Sequence, residues 1–198
     1  MISPVTKEGL RMAGFFSKIF GGSSNEQQAP VAPVAAATGG NQLVLGAHMN
    51  GTVHELSQVS DPTFSTGALG PGAAIEPTEG VLYAPADGEL TVAFPTGHAV
   101  GIRTPEGVEL LIHIGFDTVE LDGKHFDIQV KKGDKVKRGD VLVKFDLEAV
   151  KAAGYDITTP LVATNHKRIV ASTALHQSTA GSAPITAGDD FLVYSLNQ

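Results

Sequence analysis

The rhythm of hydrophobic and polar positions changes once along the chain, near residue 42. From Gln42 onward, apolar residues fall in short runs such as "GVLYAP", "GELTVAF", "HAVGIRT", "VELLIHI", "DVLVKFD" and "FLVYSL", separated by Gly, Pro, Asp and Asn. Short runs punctuated this way predict an all-β domain, a β-sandwich or barrel. "DLEAVKAAG" departs from the pattern. Its Leu147, Val150 and Ala153 follow helical spacing and stop at Gly154, so a short helix is expected there. The Gly-Asp pairs at 133–134 and 139–140 read as turns, because the acidic spacing of a calcium loop is missing. "AHMNGTVHEL" and "APADGELTVAF" echo each other, which points to repeated hairpin units in one compact domain.

Residues 1–42 read differently. "MAGFFSKIFGG" places Phe15, Phe16, Ile19 and Phe20 at helical spacing ahead of a Gly-Gly stop. One or two turns are too short to hold as a helix in water, but such a segment can lie on a membrane surface. "SSNEQQAPVAPVAAATGG" is a linker by composition. A flexible tail and linker over 1–42 and a single domain over 43–198 are therefore expected.

The net charge of −7 argues against non-specific nucleic-acid binding. The cluster Lys131, Lys132, Lys135, Lys137 and Arg138 is read as a solvated hairpin. The chain has no cysteine, which removes disulfides and thiolate chemistry. No apolar run reaches the roughly 18 residues of a membrane span, and a cytoplasmic protein is expected, with peripheral contact at the inner membrane face through the tail.

Candidate chemistry lies in "GHAVGIRTPEGVELLIHIGFD". Thr104-Pro105-Glu106-Gly107 suits a tight turn between two strands. With Pro105-Glu106 as the loop and Thr104 paired to Gly107, His98 falls directly opposite His113, with Cβ atoms ~4.5–5.5 Å apart. That register puts His98, Val100, Leu111 and His113 on one face and Val108, Leu110, Ile112 and Ile114 on the core face. A three-residue loop closed by a glycine bulge shifts the register by one and sends the two histidines to opposite faces. A neutral imidazole whose one nitrogen is tied to a fixed carbonyl presents the other as nucleophile or ligand, and Gly115, two residues past His113, offers such a carbonyl. A neighbouring histidine can stabilise a transferred anion, as phosphoryl transfer requires. His48, His54, His125, His166 and His176 show no partner pattern and are read as surface or turn residues.

The stretch "APADGELTVAFPTGHAVGIRTPEGVELLIHIGFDTVELDGKHF", continued by "KKGDKVKRGDVLVKFDLEAVKAAG" and "TTPLVATN", resembles the glucose-type enzyme IIA domain of the bacterial sugar phosphotransferase system. The resemblance covers about residues 43 to 198, with "LLIHIGFDTVEL" its most specific part. It implies an all-β fold, an antiparallel β-sandwich or barrel-sandwich hybrid with one short helix, that shuttles phosphate without metal or nucleotide. It implies that His113 accepts the phosphoryl group from the carrier protein HPr, and that His98, oriented by Thr96, is the second active-site histidine. The implied partner surface comprises Phe64, Phe94, Val100, Leu111 and Gly115, with Asp61 and Asp117 as acidic neighbours. The implied recipient is a cysteine of the IIB domain of a membrane sugar transporter; a regulatory role of the dephosphorylated form would add to the relay.

Two other classes compete. A zinc endopeptidase of the lysostaphin type has a related β fold, and His98, His113 and Asp117 mimic its ligands. It needs a His-x-His pair, however, and Gly115 stands where the second histidine would be. A biotinyl or lipoyl carrier shares the texture of "GDKVKRGDVLVKFD" but requires a hairpin-tip lysine flanked by the expected Met or Asp, which this segment lacks.

Overall fold

The computed structural model describes residues 41–176 and 183–197. The expected amphipathic segment and linker of the tail lie outside the described residues. In chain order the strands are β1 (Gln42–Gly46), β2 (Gly51–Glu55), β3 (Gly72–Pro77), β4 (Val81–Tyr83), β5 (Gly88–Ala93), β6 (Ala99–Arg103) and β7 (Glu109–His113). They continue as β8 (Phe126–Ile128), β9 (Lys135–Val136), β10 (Val141–Phe145), β11 (Thr159–Ala163), β12 (Val170–Leu175), β13 (Pro184–Ile185) and β14 (Asp190–Leu196). Three helices of four to six residues accompany them: α1 (Pro62–Ser65), α2 (Leu147–Ala152) and α3 (His166–Ile169). Among the described residues no helix is long and apolar enough to cross a membrane.

All strand pairs are antiparallel. They form an eight-stranded sheet in the order β13-β2-β3-β11-β7-β6-β5-β9, and two three-stranded sheets, β1-β14-β12 and β4-β10-β8. This is the all-β fold expected from the apolar runs and the antiparallel β-sandwich implied by the resemblance.

Both faces of the eight-stranded sheet carry apolar residues at its centre, because alternate side chains point opposite ways. Ile75, Leu161, Ile112, Leu110, Val100 and Ile102 enter the main core, where they meet Leu45, Leu82, Leu142, Phe191 and Tyr194. Ala74, Val162 and Leu111 point to the other face and form a second, smaller apolar layer with Leu56, Val59, Phe64 and Phe116. Leu111 pairs with Val162 across β7 and β11, so the second layer sits over the centre of the sheet. Its cover is the segment from a 3₁₀ turn at Leu56–Gln58 through α1. Asp61 caps α1 by accepting from the Thr63 N–H at 2.6 Å, and Pro62 occupies the first helical position.

The expected helix forms as α2, capped by Asp146, which accepts from the Ala149 N–H at 3.0 Å. Leu147 and Val150 are its buried side chains. The two Gly-Asp pairs are turns, and a third at 188–189 repeats them. In each, the aspartate carboxylate accepts from the N–H three residues earlier: Asp134 from Lys131 at 3.0 Å, Asp140 from Lys137 at 2.8 Å, and Asp189 from Thr186 at 3.2 Å.

The register of β6 against β7 differs from the expected one. Ala99, not His98, stands opposite His113, followed by Val100 with Ile112 and Gly101 with Leu111. The turn is the glycine-bulge alternative: the Thr104 N–H bonds to Val108 O at 3.0 Å, and Gly107 takes a left-handed φ of 87°. Val100 consequently belongs to the main core with Ile112, not to the face of His113. Val100 is fully buried, which corrects its assignment to a partner-facing surface. The Thr104–Val108 and His98–Ile114 bonds make those pairs hydrogen-bonded ones, so the pairs between them alternate. Close Hα–Hα cross-peaks are therefore expected in NMR spectra for Gly101 with Leu111, Arg103 with Glu109 and Ala99 with His113. A cross-peak between Val100 and Leu111 would contradict this register.

Candidate functional site

His113 is the last residue of β7 and shares the parity of Leu111, which aims its ring into the second apolar layer. There it is fully buried, 5.9 Å from the ring of Phe64. Just past the strand, Gly115 adopts a left-handed φ of 68°, and its carbonyl accepts from His113 Nδ1 at 2.6 Å. A carbonyl can only accept, so Nδ1 carries the proton and Nε2 holds the ring's lone pair. A Cβ at position 115 would come within 2.5 Å of the Asp156 carbonyl oxygen, so no other residue fits this turn without displacement.

His98 lies in a bend just ahead of β6. Strand alternation carried back to His98 would send it toward the main core, away from His113. Its ring is instead 5.1 Å from that of His113, in an edge-to-face arrangement. The reason is the loop between β5 and β6. The Gly97 N–H bonds to Phe94 O at 2.8 Å, and Gly97 has a left-handed φ of 70°. A Cβ at Gly97 would meet Cβ of Phe126 at 2.8 Å, so the loop also needs glycine to rest on β8. The two rings therefore meet as the sequence reading required, but through a loop turn and not through direct cross-strand opposition.

Thr96 Oγ1 is 2.6 Å from His98 Nδ1. A threonine hydroxyl donating at that nitrogen places the ring proton on Nε2. His98 Nε2 is buried and has no hydrogen-bond partner among the described residues. Phe94, half-buried, lies 4.9 Å from the His98 ring, tilted against it.

Both imidazoles are neutral near pH 7. Burial pushes His113 down to about 4, against smaller opposing effects from the Gly115 hydrogen bond and the charge of Asp61. Burial, followed by repulsion from His113, takes His98 down to about 3. The pair is thus a lone-pair nitrogen beside a second neutral ring, in a setting dry enough to strengthen any charge interaction that forms.

The remaining expected site residues divide by exposure. Phe64, Leu111 and Gly115 are buried, and Asp61 is nearly so. Phe94, Thr96 and Asp117 are partly exposed. Phe64 and Leu111 therefore line the floor of the site from below and do not form its outer surface. Leu69 and Val119, partly buried against the second layer, are apolar side chains of this face that the sequence reading missed. Val119 was available in "HIGFDTVEL", two residues past Asp117. Asp117 itself takes a left-handed φ of 56°, unusual for a residue with a side chain, in the turn that follows His113.

His48 lies in a bend between β1 and β2, one of its two expected placements, but it is not at the surface: it is fully buried, its Nε2 lies 3.0 Å from Thr159 O, and burial lowers it to about 4. Its signal was legible only as a histidine between the apolar residues Ala47 and Met49. Among the described residues no three His, Cys, Asp or Glu side chains are grouped as a metal site would need, so His98, His113 and Asp117 do not assemble the ligand set of a zinc peptidase.

Residues 43–169 match the family described as the phosphoenolpyruvate-dependent sugar phosphotransferase system, EIIA 1. A glucose-specific EIIA component of Halalkalibacterium halodurans is 45% identical over 150 residues, covering 76% of this chain and 83% of the relative. A beta-glucoside-specific EIIBCA component of the same organism is 49% identical over 148 residues, 75% of this chain but only 23% of that longer protein. The chain thus spans about a quarter of the beta-glucoside components it matches. The glucose permease IIA from Mycoplasma capricolum superposes with a TM-score of 0.68 at 37% identity, covering 77% of this chain and 95% of that structure.

Three buried neutral histidines give the fold a pH signature with a definite sign. In the unfolded chain they bind protons below about pH 6.5, whereas His48, His98 and His113 in the fold resist protonation until about 4, 3 and 4. The unfolded state then binds more protons, so stability falls as pH drops from about 6.5 toward 4 and is indifferent to these groups above that window. By pH ~5 the loss is on the order of 2 kcal/mol for each imidazole. Urea unfolding midpoints measured across the window check this, and His98→Gln is expected to flatten the slope.

Proposed function

Because the chain belongs to the EIIA 1 family of the sugar phosphotransferase system, and is as such a phosphotransferase component with a phosphoryl-carrier role, we propose that His113 carries the phosphoryl group and His98 steadies it. The observation that carries this reading is the pairing of the two rings at 5.1 Å with the Nδ1 of each already engaged, by Gly115 O and by Thr96 Oγ1. Chemistry at each ring is left to Nε2.

The donor is phosphorylated HPr. The Nε2 lone pair of His113 attacks phosphorus in line, the N–P bond of the donor breaks, and the electron pair departs with the donor imidazole. Nδ1–H remains on His113 throughout, held by Gly115, and helps to disperse the positive charge that the ring gains as the new N–P bond forms. His98 Nε2–H, oriented through Thr96, donates to a phosphoryl oxygen as negative charge moves across. In the onward step a thiolate of a IIB domain attacks the same phosphorus, and the bonding pair returns to Nε2. Nearly all of the catalysis is positioning and charge stabilisation, which suits phosphoryl transfer.

Exposure adds a requirement. His113 is 0% and His98 1% exposed, so a donor reaches Nε2 only after the rim of the site yields. Phe94, partly exposed and tilted against His98, stands at that rim. Apolar side chains there, with Leu69 and Val119, suit a partner that brings its own apolar face and excludes water on docking.

The chain read in this way serves a IIB domain of a sugar transporter, and the sugar is chosen by that transporter. The test is incubation with phospho-HPr followed by mapping of acid-labile phosphate. Label is expected on the wild-type chain and absent from His113→Ala. His98→Ala is expected to accept phosphate but pass it to the IIB domain at least about tenfold more slowly, because it loses one charge-stabilising donor. Unlabelled wild type, or label that survives His113→Ala, would refute the assignment.

A further inference from the structure

The tripeptide that aims His113 is held at four of its backbone polar groups. The Ile114 N–H donates to His98 O at 2.7 Å, the Gly115 carbonyl accepts from His113 Nδ1 at 2.6 Å, and the Phe116 N–H donates to Asp156 O at 2.9 Å. The Ile114 carbonyl, like that of Gly115, is bonded to a side chain and not to backbone. Were the ladder to continue, its partner would be the N–H of His98, but the chain there has already turned into the bend that brings the His98 ring across. The hydroxyl of Thr118 fills that place, donating to Ile114 O. Thr118 is 0% exposed, and its methyl carbon would lie 2.8 Å from a Cβ at Gly115, so the same side chain also packs against the turn.

Resting on the assignment of His113 as phosphoryl acceptor, we propose that Thr118 is a positioning residue. Its hydroxyl locks the Ile114–Gly115 peptide, and that peptide aims the Gly115 carbonyl at His113 Nδ1. The physical case is one of alternatives. Without the hydroxyl, the buried Ile114 carbonyl is unsatisfied, and the cheapest relief is rotation of the Ile114–Gly115 peptide toward another donor. Gly115 tolerates such rotation better than any other residue; the Gly115–Phe116 peptide is anchored by Asp156 O, but the bond from Thr118 is the one clamp on the Ile114–Gly115 peptide among the described residues. Rotation of the turn moves its carbonyl away from Nδ1. The ring then loses both its fixed tautomer and its line of attack. A buried hydroxyl bonded to a carbonyl four residues earlier is a locally cheap device, and here it acts on a peptide adjacent to the reacting ring.

Being buried, Thr118 touches no docking protein, so its removal should leave partner affinity alone. Thr118→Val is expected to lower the maximal rate of phosphoryl acceptance from phospho-HPr about tenfold or more with KM for phospho-HPr unchanged. Thr118→Ser, which keeps the hydroxyl, is expected to stay within about twofold of wild type, the small residue of difference reflecting lost packing. The second readout is independent of any partner: the ring Nδ1–H resonance of His113, sheltered by its bond to Gly115, is expected in wild type and Thr118→Ser and lost to exchange in Thr118→Val. Should Thr118→Val fold poorly, Thr118→Ala against Thr118→Ser makes the same comparison. An unchanged Nδ1–H resonance in the hydroxyl-free variant overturns the proposal, as does a Thr118→Ser protein as impaired as Thr118→Val. A wild-type chain that shows the resonance but takes no phosphate would instead overturn the function proposed for His113.

Discussion

The bond from His113 Nδ1 to the carbonyl of Gly115 is the constraint around which this molecule is arranged. It determines which nitrogen holds the lone pair, and it demands a left-handed residue two positions past the histidine. That demand requires glycine twice over, for its φ of 68° and for the 2.5 Å approach of the Asp156 carbonyl. Ile114 and Phe116 on either side are tied to His98 O and Asp156 O. The loop carrying His98 and the segment before β11 are thus both hydrogen-bonded to the turn that orients His113.

Burying two neutral imidazoles side by side has an energetic logic. An isolated charge would be costly in the second apolar layer, and the depressed pKa values reflect that cost. The same low-dielectric surroundings make a hydrogen bond to an incoming phosphoryl oxygen worth more than it would be in water. The sheet supplies these surroundings because its two faces are both apolar at the centre, the main core on one side and the layer under α1 on the other. A purely one-sided sheet would have left His113 in solvent, where neither the tautomer nor the aim could be held.

Much of this was legible beforehand. Alternating apolar runs, the Gly-Asp turns and the helix at Leu147–Ala152 follow from local patterns that operate over a few residues. The acceptor geometry at Gly115 followed from "HIGFD", because a side chain reaching a carbonyl two residues on is a local matter. The β6–β7 register was legible only as two alternatives, and the glycine bulge decided between them through one extra residue in the turn. The consequences reached Val100, whose face changed with the register. His48 was misread because its burial comes from β14 and β11, which supply Phe191 at 5.5 Å and the Thr159 carbonyl from more than a hundred residues away. Thr118 was passed over because its role depends on a carbonyl that only the bent path of His98 leaves unpaired.

By itself, then, the chain's sequence determined an all-β fold, the positions of its turns, and the two histidines with the Gly115 carbonyl as the local acceptor for His113 Nδ1–H, all through interactions spanning few residues. The tertiary structure alone decided that His98 reaches His113 from a loop and not across a ladder, that Phe64 and Leu111 lie beneath the rings instead of around them, and that His48 is inside. Those outcomes depend on how distant segments close against one another, such as Gly97 resting on Phe126 and Asp156 meeting Phe116. Contacts between residues far apart in the chain leave no periodic trace in it, because each side of the contact is shaped by a different local pattern.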